Sequence, residues 1–146
     1  MSAFIQIITG CMGTLGFNIL FNIRGRKLVL ATLGGLISWA FFLALELVFP
    51  SEALRYLISA AMITVYGEIL ARQEKTPTTT FLVPSIIPLI PGSALYYTMN
   101  YAVRGMNEQF AVQGLHTAAI AGIIAVGILL ASTTVRMYYT WRLRTK

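Results

Sequence analysis

Residues 76–103, TPTTTFLVPSIIPLIPGSALYYTMNYAV, form an uncharged stretch that is long enough to cross a bilayer but contains Pro84, Pro88 and Pro91-Gly92. Proline removes a backbone donor and clashes with the preceding turn, so a helix with three prolines must open its hydrogen bonds. At membrane depth, such backbone survives only where protein buries it or where it lines a water-filled cavity. The stretch therefore predicts a broken membrane helix with a binding site or a pathway beside the break.

The rest of the chain has the composition of an all-α integral membrane protein. It contains 146 residues, of which 57% are hydrophobic and 11% are charged. Its mean hydropathy is +0.74. Apolar runs of roughly 20 residues predict five transmembrane helices in a single transmembrane domain that covers residues 1–146. Their expected bounds are about 2–22, 28–49, 53–71, 78–103 and 110–137.

The basic residues predict the orientation, because short cytoplasmic loops are enriched in Lys and Arg. With the N-terminus outside and the C-terminus in the cytoplasm, nine of the eleven basic residues lie inside, and only Arg55 and Arg104 lie outside. The inner nine are Arg24, Arg26, Lys27, Arg72, Lys75, Arg136, Arg142, Arg144 and Lys146.

The alternative is a re-entrant loop, in which residues 78–103 enter the membrane and return to the same side. The tail would then lie outside, and the charge bias would fall to six basic residues against five. The loop-charge rule therefore favours a crossing helix that is broken by its prolines.

A crossing helix places Pro91-Gly92 near the bilayer midplane, between half-helices over 81–91 and 92–103. Pro91 suits the first turn of the second half-helix, where its missing donor costs little. The N–H groups of Gly92, Ser93 and Ala94 would then be free at a positive helix end. A carboxylate is the natural ligand of such a site.

Polar side chains accompany the break. Ser93, Tyr96, Tyr97 and Asn100 have the i, i+3, i+4, i+7 spacing of one helix face, so they form one candidate substrate-binding surface. The alternative for this face is hydrogen bonding between helices inside the bundle. For the prolines, the alternative interpretation is a structural kink that serves helix packing alone. The remaining candidate substrate-binding residues are Ser85 and Pro88 near the break, and Asn18 and Asn22 in the first helix.

Asn18 and Asn22 are four residues apart near the inner end of the first helix. They are expected to share a face and to present two amides to a substrate or to a partner helix. For Asn22, the end of the helix before Gly25 is an equally good explanation.

Two titratable residues are candidates for proton coupling. Glu68 lies four residues before Arg72, a spacing that favours a local ion pair, but a carboxylate within a membrane span also suits a proton site. His116 is the single histidine and titrates near neutral pH in its ordinary state, although a lone histidine is more often structural.

No cofactor, metal site or enzymatic activity is predicted. Cys11 is the single cysteine, so neither an internal disulfide nor a cysteine metal cluster is available. The chain also lacks a phosphate-binding loop, a nucleophile elbow and paired catalytic carboxylates. The net charge of +6 comes mostly from basic residues between hydrophobic runs. This pattern indicates orientation against anionic lipid rather than binding to nucleic acid.

Two motifs, GFNILFNIRGRKL at 16–28 and FLVPSIIPLIPGSALYYTM at 81–99, resemble the small, YjjB-type subunit of the bacterial threonine/serine exporter family. The five-span layout and the last helix, rich in glycine and alanine, also fit. This chain has Arg24 where the family's pattern has a proline. The matching positions are Phe21, Asn22 and Arg26 in the first motif, and Pro88, Pro91, Gly92, Tyr96 and Met99 in the second.

The resemblance implies a secondary exporter in the bacterial plasma membrane. Its expected substrates are small amino acids such as threonine and serine, or dicarboxylates such as succinate in the two-component versions. It also implies a larger partner subunit, with five membrane helices and a soluble cytoplasmic region. The alternative hypothesis is a non-transporting assembly subunit of a membrane complex, in which the prolines and glycines only shape contacts between proteins.

Overall fold

A computed structural model describes residues 3–144, with side chains described as far as Arg142, and consists of helices joined by short turns. Lys146, predicted to lie inside, falls outside the described residues, as does residue 2 at the start of the first predicted helix. The described part contains no strand. The helices are α1 (Ala3–Leu20), α2 (Arg26–Glu46), α3 (Glu52–Gln73), α4 (Thr79–Ile86), α5 (Gly92–Val103) and α6 (Asn107–Arg144), with a 3-10 turn at Ile87–Leu89.

The prediction of an all-helical chain with several membrane spans is confirmed. Four helices, α1, α2, α3 and α6, are long and apolar enough to cross a membrane. The pair formed by α4 and α5 makes a fifth candidate if it is counted as one span. The last helix continues to Arg144, seven residues beyond its predicted end at residue 137. The chain is thus a multi-pass membrane protein.

Three helix ends have the same local cause. Asn22, Lys75 and Gly105 adopt left-handed backbone conformations, with φ of 56°, 50° and 69°. In each case the next residue donates its N–H to a carbonyl five residues earlier, as in a Schellman motif. These caps end α1, α3 and α5. The first helix therefore stops at Leu20 rather than at residue 22.

Between residues 79 and 103 the chain forms two helices, bent by 63° relative to each other, rather than one. Pro88 and Pro91 have no N–H to donate, so the α-helical hydrogen bonds stop here. The N–H of Ile90 donates to Ile87 O, and the N–H of Gly92 donates to Ile90 O over 2.7 Å. The chain therefore leaves α4 through a 3-10 turn and begins α5 at Gly92.

The helix α2 lies against both α1 and α4 because two adjacent glycines leave no side chain in the way. A Cβ atom at Gly34 would overlap Ser85 Oγ of α4, and a Cβ atom at Gly35 would overlap Thr14 Oγ1 of α1. Ser38, one turn further, donates a buried hydrogen bond to Ser85 O over 2.8 Å. Small residues let helices approach in this way in lipid.

The helices α3 and α6 run side by side in the same direction. His116 Nε2 lies 3.5 Å from Glu52 Oε2 at the start of α3, and the guanidinium of Arg72 near its end lies 4.2 Å from the ring centre of Tyr139. Since both helices point the same way, the chain must return between them. The segment that makes this return is α4 with α5.

The break between α4 and α5 lies beside the middle of α6. Leu89, at the end of the 3-10 turn, is fully buried in a cluster that includes Ile120 and Ile124. These two isoleucines lie near the centre of the Asn107–Arg144 helix. The start of α5 is thus half-way between the two ends of the bundle.

Candidate functional site

A cleft of about 590 Å³ opens at one end of the bundle, between the α1–α2 turn and the α3–α4 turn. We name it the basic cleft, and the end where it opens the basic end. Its lining contains two cations, three threonines and no carboxylate. The lining residues are Phe21, Asn22, Ile23, Arg24, Lys27, Thr76, Thr79, Thr80, Val83 and Pro84.

The two turns that form the basic cleft have fixed conformations. Both begin at a left-handed cap, Asn22 in one turn and Lys75 in the other. Arg24 Nε also donates to Asn22 Oδ1 over 2.8 Å. An ion pair of 3.4 Å between Arg26 and Glu74 joins the two turns. The basic cleft is therefore built from ordered backbone, and Asn22, a predicted substrate-binding residue, is both a helix cap and part of its lining.

A second feature is the start of α5, where the sequence predicts three free amides. The N–H of Gly92 is bonded to Ile90 O. In the described part of the chain, the N–H groups of Ser93 and Ala94 have no backbone acceptor. A Cβ atom added to Gly92 would meet nothing within 4 Å. The helix end therefore offers two amides beside open space.

The predicted face of α5 points away from the rest of the chain. Tyr96 is 67% exposed and Tyr97 is 50% exposed, Ser93 is exposed and Asn100 is half-buried. The opposite side of α5 contacts α6, where Thr98 Oγ1 lies 3.2 Å from Thr117 Oγ1. The four predicted residues thus share one face on the surface of the chain.

Other predicted substrate-binding residues lie inside the chain. Ser85 is fully buried and donates to Ala31 O, while Asn18 is fully buried and donates through Nδ2 to Thr32 Oγ1 over 3.0 Å. Pro88 is half-buried, and its ring faces Gly10 of α1. These positions hold α1, α2 and α4 together. Asn18 and Asn22 do not share a helix face, because α1 ends between them.

Glu68 belongs to a buried polar group between α3 and α6. Its side chain is 3% exposed. Oε2 accepts from Arg72 Nη1 over 2.6 Å, and Oε1 accepts from Ser132 Oγ over 3.0 Å. Arg136 Nε lies 3.8 Å from the same Oε1. The local ion pair with Arg72 is therefore present, and contacts from α6 extend it.

His116, Glu52 and Glu46 make contacts between charged groups near the opposite end of the bundle. His116 pairs with Glu52, as described above, and both side chains are about half exposed. Glu46 Oε1 lies 3.3 Å from Arg55 Nη1, whose guanidinium also lies over the Phe42 ring. These contacts connect α3 to its neighbours at the end opposite the basic cleft.

The structure adds lining residues that the sequence reasoning did not select, namely Arg24, Lys27, Thr76, Thr79 and Thr80. Their sequence signal is a pair of short polar turns, RGRK at 24–27 and KTPTTT at 75–80. The cationic residues were used for orientation alone. In the described residues no group of three or more His, Cys, Asp or Glu side chains is placed to hold a metal ion.

Comparison with known families identifies the chain. The family model described as "Threonine/Serine exporter, ThrE" matches residues 6–134. The chain belongs to this exporter family. No curated protein and no solved structure matches the sequence. Since the exporter family is a family of transporters rather than enzymes, the chain is a membrane transport protein.

The matched region of this exporter family contains every residue of the basic cleft and the whole of α2–α5. It ends within α6, beyond Ser132, which contacts Glu68. Both candidate features, the basic cleft and the start of α5, thus belong to the exporter domain.

Proposed function

We propose that this chain is the small subunit of a secondary transporter that exports small carboxylate-bearing solutes across the bacterial plasma membrane. The solutes are threonine and serine or succinate-like dicarboxylates. The observation that carries the proposal is the exporter-family match over residues 6–134. The geometry adds a basic cleft at one end and unpaired amides half-way along the bundle.

The direction of the helices supports a crossing segment rather than a re-entrant loop. Because α3 and α6 are parallel, α4 and α5 together lead from the basic end to the opposite end. The turns at 24–27 and 72–75 and the Arg136 region of α6 meet at the basic end. The loop-charge rule supports a cytoplasmic position for this end, and with it an N-terminus outside.

The start of α5 is the proposed substrate site near the midplane. Its depth follows from Leu89, which belongs to the same buried cluster as Ile120 and Ile124. Unpaired N–H groups in hydrocarbon are costly, so the amides of Ser93 and Ala94 need an acceptor. A carboxylate meets that need and interacts favourably with the positive helix end. The Ser93, Tyr96, Tyr97 and Asn100 face would line the same passage.

A larger membrane subunit is the proposed partner, and α5 supports its presence. Within this chain α5 buries only Ala94 and Thr98, against α6. Its other face carries polar groups that lipid tails cannot satisfy. A passage beside Gly92 therefore needs a second wall from another subunit.

The alternative is a non-transporting assembly subunit. One observation favours it, because several buried polar side chains in α1–α4, including Ser38, Ser85 and Asn18, make hydrogen bonds between helices. In that case the α5 face would bind a neighbouring protein and would never meet the solute.

Proteoliposomes distinguish the two functions. The chain and the larger membrane protein of the same exporter would be reconstituted together and separately, with labelled threonine or succinate as substrate. We expect transport only with both proteins. Equal transport by the larger protein alone would establish the accessory role.

Substitution of Gly92 tests the proposed substrate site. In the described structure, an added Cβ at Gly92 or at Gly13 would meet no atom beyond the neighbouring backbone of its own helix within 4 Å, so the two positions form a matched pair. We expect Gly92→Val to abolish export while the level of protein in the membrane stays normal. Gly13→Val should export at the wild-type rate. Wild-type export by Gly92→Val would remove the start of α5 from the pathway.

A further inference from the structure

The positive charge of the basic cleft is only partly neutralised by carboxylates near it. Three cations lie in the short segment Arg24–Lys27, and of these Arg26 has a carboxylate partner, Glu74. The guanidinium of Arg24 contacts the amide of Asn22, which is neutral. For Lys27, which is half-buried in the lining, the described part of the chain provides no carboxylate within ion-pair distance.

Two helix N-termini add to this potential. The lining includes Lys27 from the first turn of α2, and Thr79 and Thr80 from the first turn of α4. The N-terminal end of a helix carries a partial positive charge. Basic side chains near this end destabilise the helix, whereas anions near it stabilise the helix. Neither first turn contains an acidic residue. The chain therefore places basic side chains beside two helix ends that are themselves partly positive, so that these charges repel one another.

An unsatisfied hydroxyl points to what the basic cleft lacks. Thr76 Oγ1 is buried, and it has no hydrogen-bond partner in the described structure. Thr76 lies in the lining with Arg24 and Lys27. A buried hydroxyl without a partner costs about 1–3 kcal/mol, so such groups usually meet a ligand or another polar atom. A carboxylate bound by the ammonium of Lys27 would lie beside the wall that contains this hydroxyl.

We propose that the basic cleft captures the carboxylate group of the exported solute at the cytoplasmic end, before the solute reaches the broken helix. This proposal rests on the proposed function for its direction of transport. Lys27 binds the carboxylate, and Arg24 adds a second cation. Val83 and Pro84 give the solute's carbon chain an apolar wall. The lining has no acidic side chain, so the amino group of an amino acid is left in solvent.

Protection from alkylation tests the capture site without any transport. The chain, with Cys11→Ser and Thr79→Cys, would be placed in nanodiscs of zwitterionic lipid and treated with a polar maleimide. Thr79 is exposed in the lining, so its replacement provides a reporter thiol. We expect succinate and threonine to slow labelling. Ethanolamine, which has no carboxylate, should leave the rate unchanged.

Charge variants identify the groups that bind. We expect Lys27→Gln to raise the succinate concentration for half-protection by about ten-fold, because it removes a hydrogen bond to a charged group. Lys27→Arg should retain protection. Arg24→Gln, in an exposed turn that tolerates the change, should weaken it. The matched control is Lys75→Asn, which removes a charge near the basic cleft but outside its lining and keeps a residue suited to positive φ.

Three outcomes would overturn the proposal. They are an absence of protection by succinate in the parent protein, equal protection by ethanolamine, and unchanged protection in both Lys27→Gln and Arg24→Gln. Phosphatidylglycerol nanodiscs form the last arm. Protection that depends on this anionic lipid and not on succinate would assign the basic cleft to a lipid headgroup. Since labelling needs no transport, each result is separate from the transport assay above.

Discussion

In α4, three of eight residues are buried among α1, α2 and α3, namely Phe81, Pro84 and Ser85. In α5, two of twelve residues are buried, namely Ala94 and Thr98, which lie against α6. The two helices are consecutive in the chain but differ in how they are held. The half that begins at the basic cleft is fixed by close backbone contact. The half that begins at the unpaired amides has one main neighbour.

This difference separates two tasks that a transporter has to perform. A site that selects a charged group benefits from rigid walls, because preorganised groups lose little entropy when they bind. A site that must open to alternate sides needs an element that can move relative to its surroundings. We therefore propose that α4 serves recognition of the solute, and that α5 forms the contact with the proposed partner subunit.

The largest effect is expected from filling the contact that holds α4. A methyl group at Gly34 would overlap Ser85 Oγ and lie 2.9 Å from Tyr66 Cε1, so Gly34→Ala should destabilise the fold by about 3 kcal/mol. The matched change is Gly114→Ala, at the contact of α6 with α5. There the nearest atom, Thr98 Cγ2, lies 3.5 Å from the added Cβ. That variant should be neutral or more stable by about 0.5 kcal/mol, as expected for Gly→Ala in a helix.

Unfolding in detergent micelles, followed by circular dichroism, measures both variants. A Gly34→Ala protein as stable as Gly114→Ala would mean that α4 is no better fixed than α5. The comparison between the two halves would then fail at its first step.

The difference between α4 and α5 also shows which features of the fold could be predicted from the sequence. Hydropathy and prolines act locally, so they predicted an all-helical membrane protein, and α4 and α5 meet where the prolines indicated an interruption. Contacts such as Gly34 with Ser85 depend on the rotation of two helices that are distant in sequence. That rotation places Ser85 on the buried side, although its position near the break made it a candidate for substrate binding.

The basic cleft was missed for a similar reason. Its residues come from two segments, 21–27 and 76–84, that are about fifty residues apart. In the sequence the first has the ordinary appearance of a basic loop between membrane helices, and the second is an uncharged stretch that leads into an apolar run. Only the tertiary arrangement brings Lys27 and Thr76 into one lining without a carboxylate.

The next effect concerns Glu68, because the contact of α3 with α6 supports the helix on which α5 rests. Glu68→Gln removes the charge that meets Arg72 and Arg136, and it should lower the free energy of unfolding by about 1–3 kcal/mol, since both arginines are partly exposed. If Glu68 couples export to protons, Glu68→Gln should have a second effect. Export should slow, or lose its dependence on the proton gradient, by more than the loss of stability explains.

Parallel measurement of unfolding and of export in proteoliposomes separates the two roles. Glu46→Gln is the control, because that carboxylate is 60% exposed and pairs with Arg55 at the opposite end. Losses of stability and of export in equal proportion would identify Glu68 as a structural ion pair alone.

A smaller effect is expected from the hydrogen bonds that attach the two halves. Ser38→Ala removes a buried bond to Ser85 O and should cost about 1–2 kcal/mol. Thr98→Val removes the contact with Thr117 and should cost about 0.6 kcal/mol, since Thr98 also bonds to its own helix at Ala94 O. Hydrogen exchange of the α4 and α5 amides would report each change locally. If α5 is less protected than α4 in the wild-type protein, the two halves differ in dynamics as well as in packing.

The smallest effect is expected at His116, where α6 begins its course beside α3 and supports α5. The side chain is 51% exposed and lies 3.5 Å from a carboxylate that is equally accessible, so His116→Gln should change stability by less than about 0.5 kcal/mol. This contact lies on the surface, at the end opposite the basic cleft. Export by His116→Gln should therefore keep the wild-type dependence on pH between about 6 and 8. A flattened pH profile would make His116 the coupling residue and would move the proton path from the α3–α6 contact at Glu68 to the end where α5 joins α6.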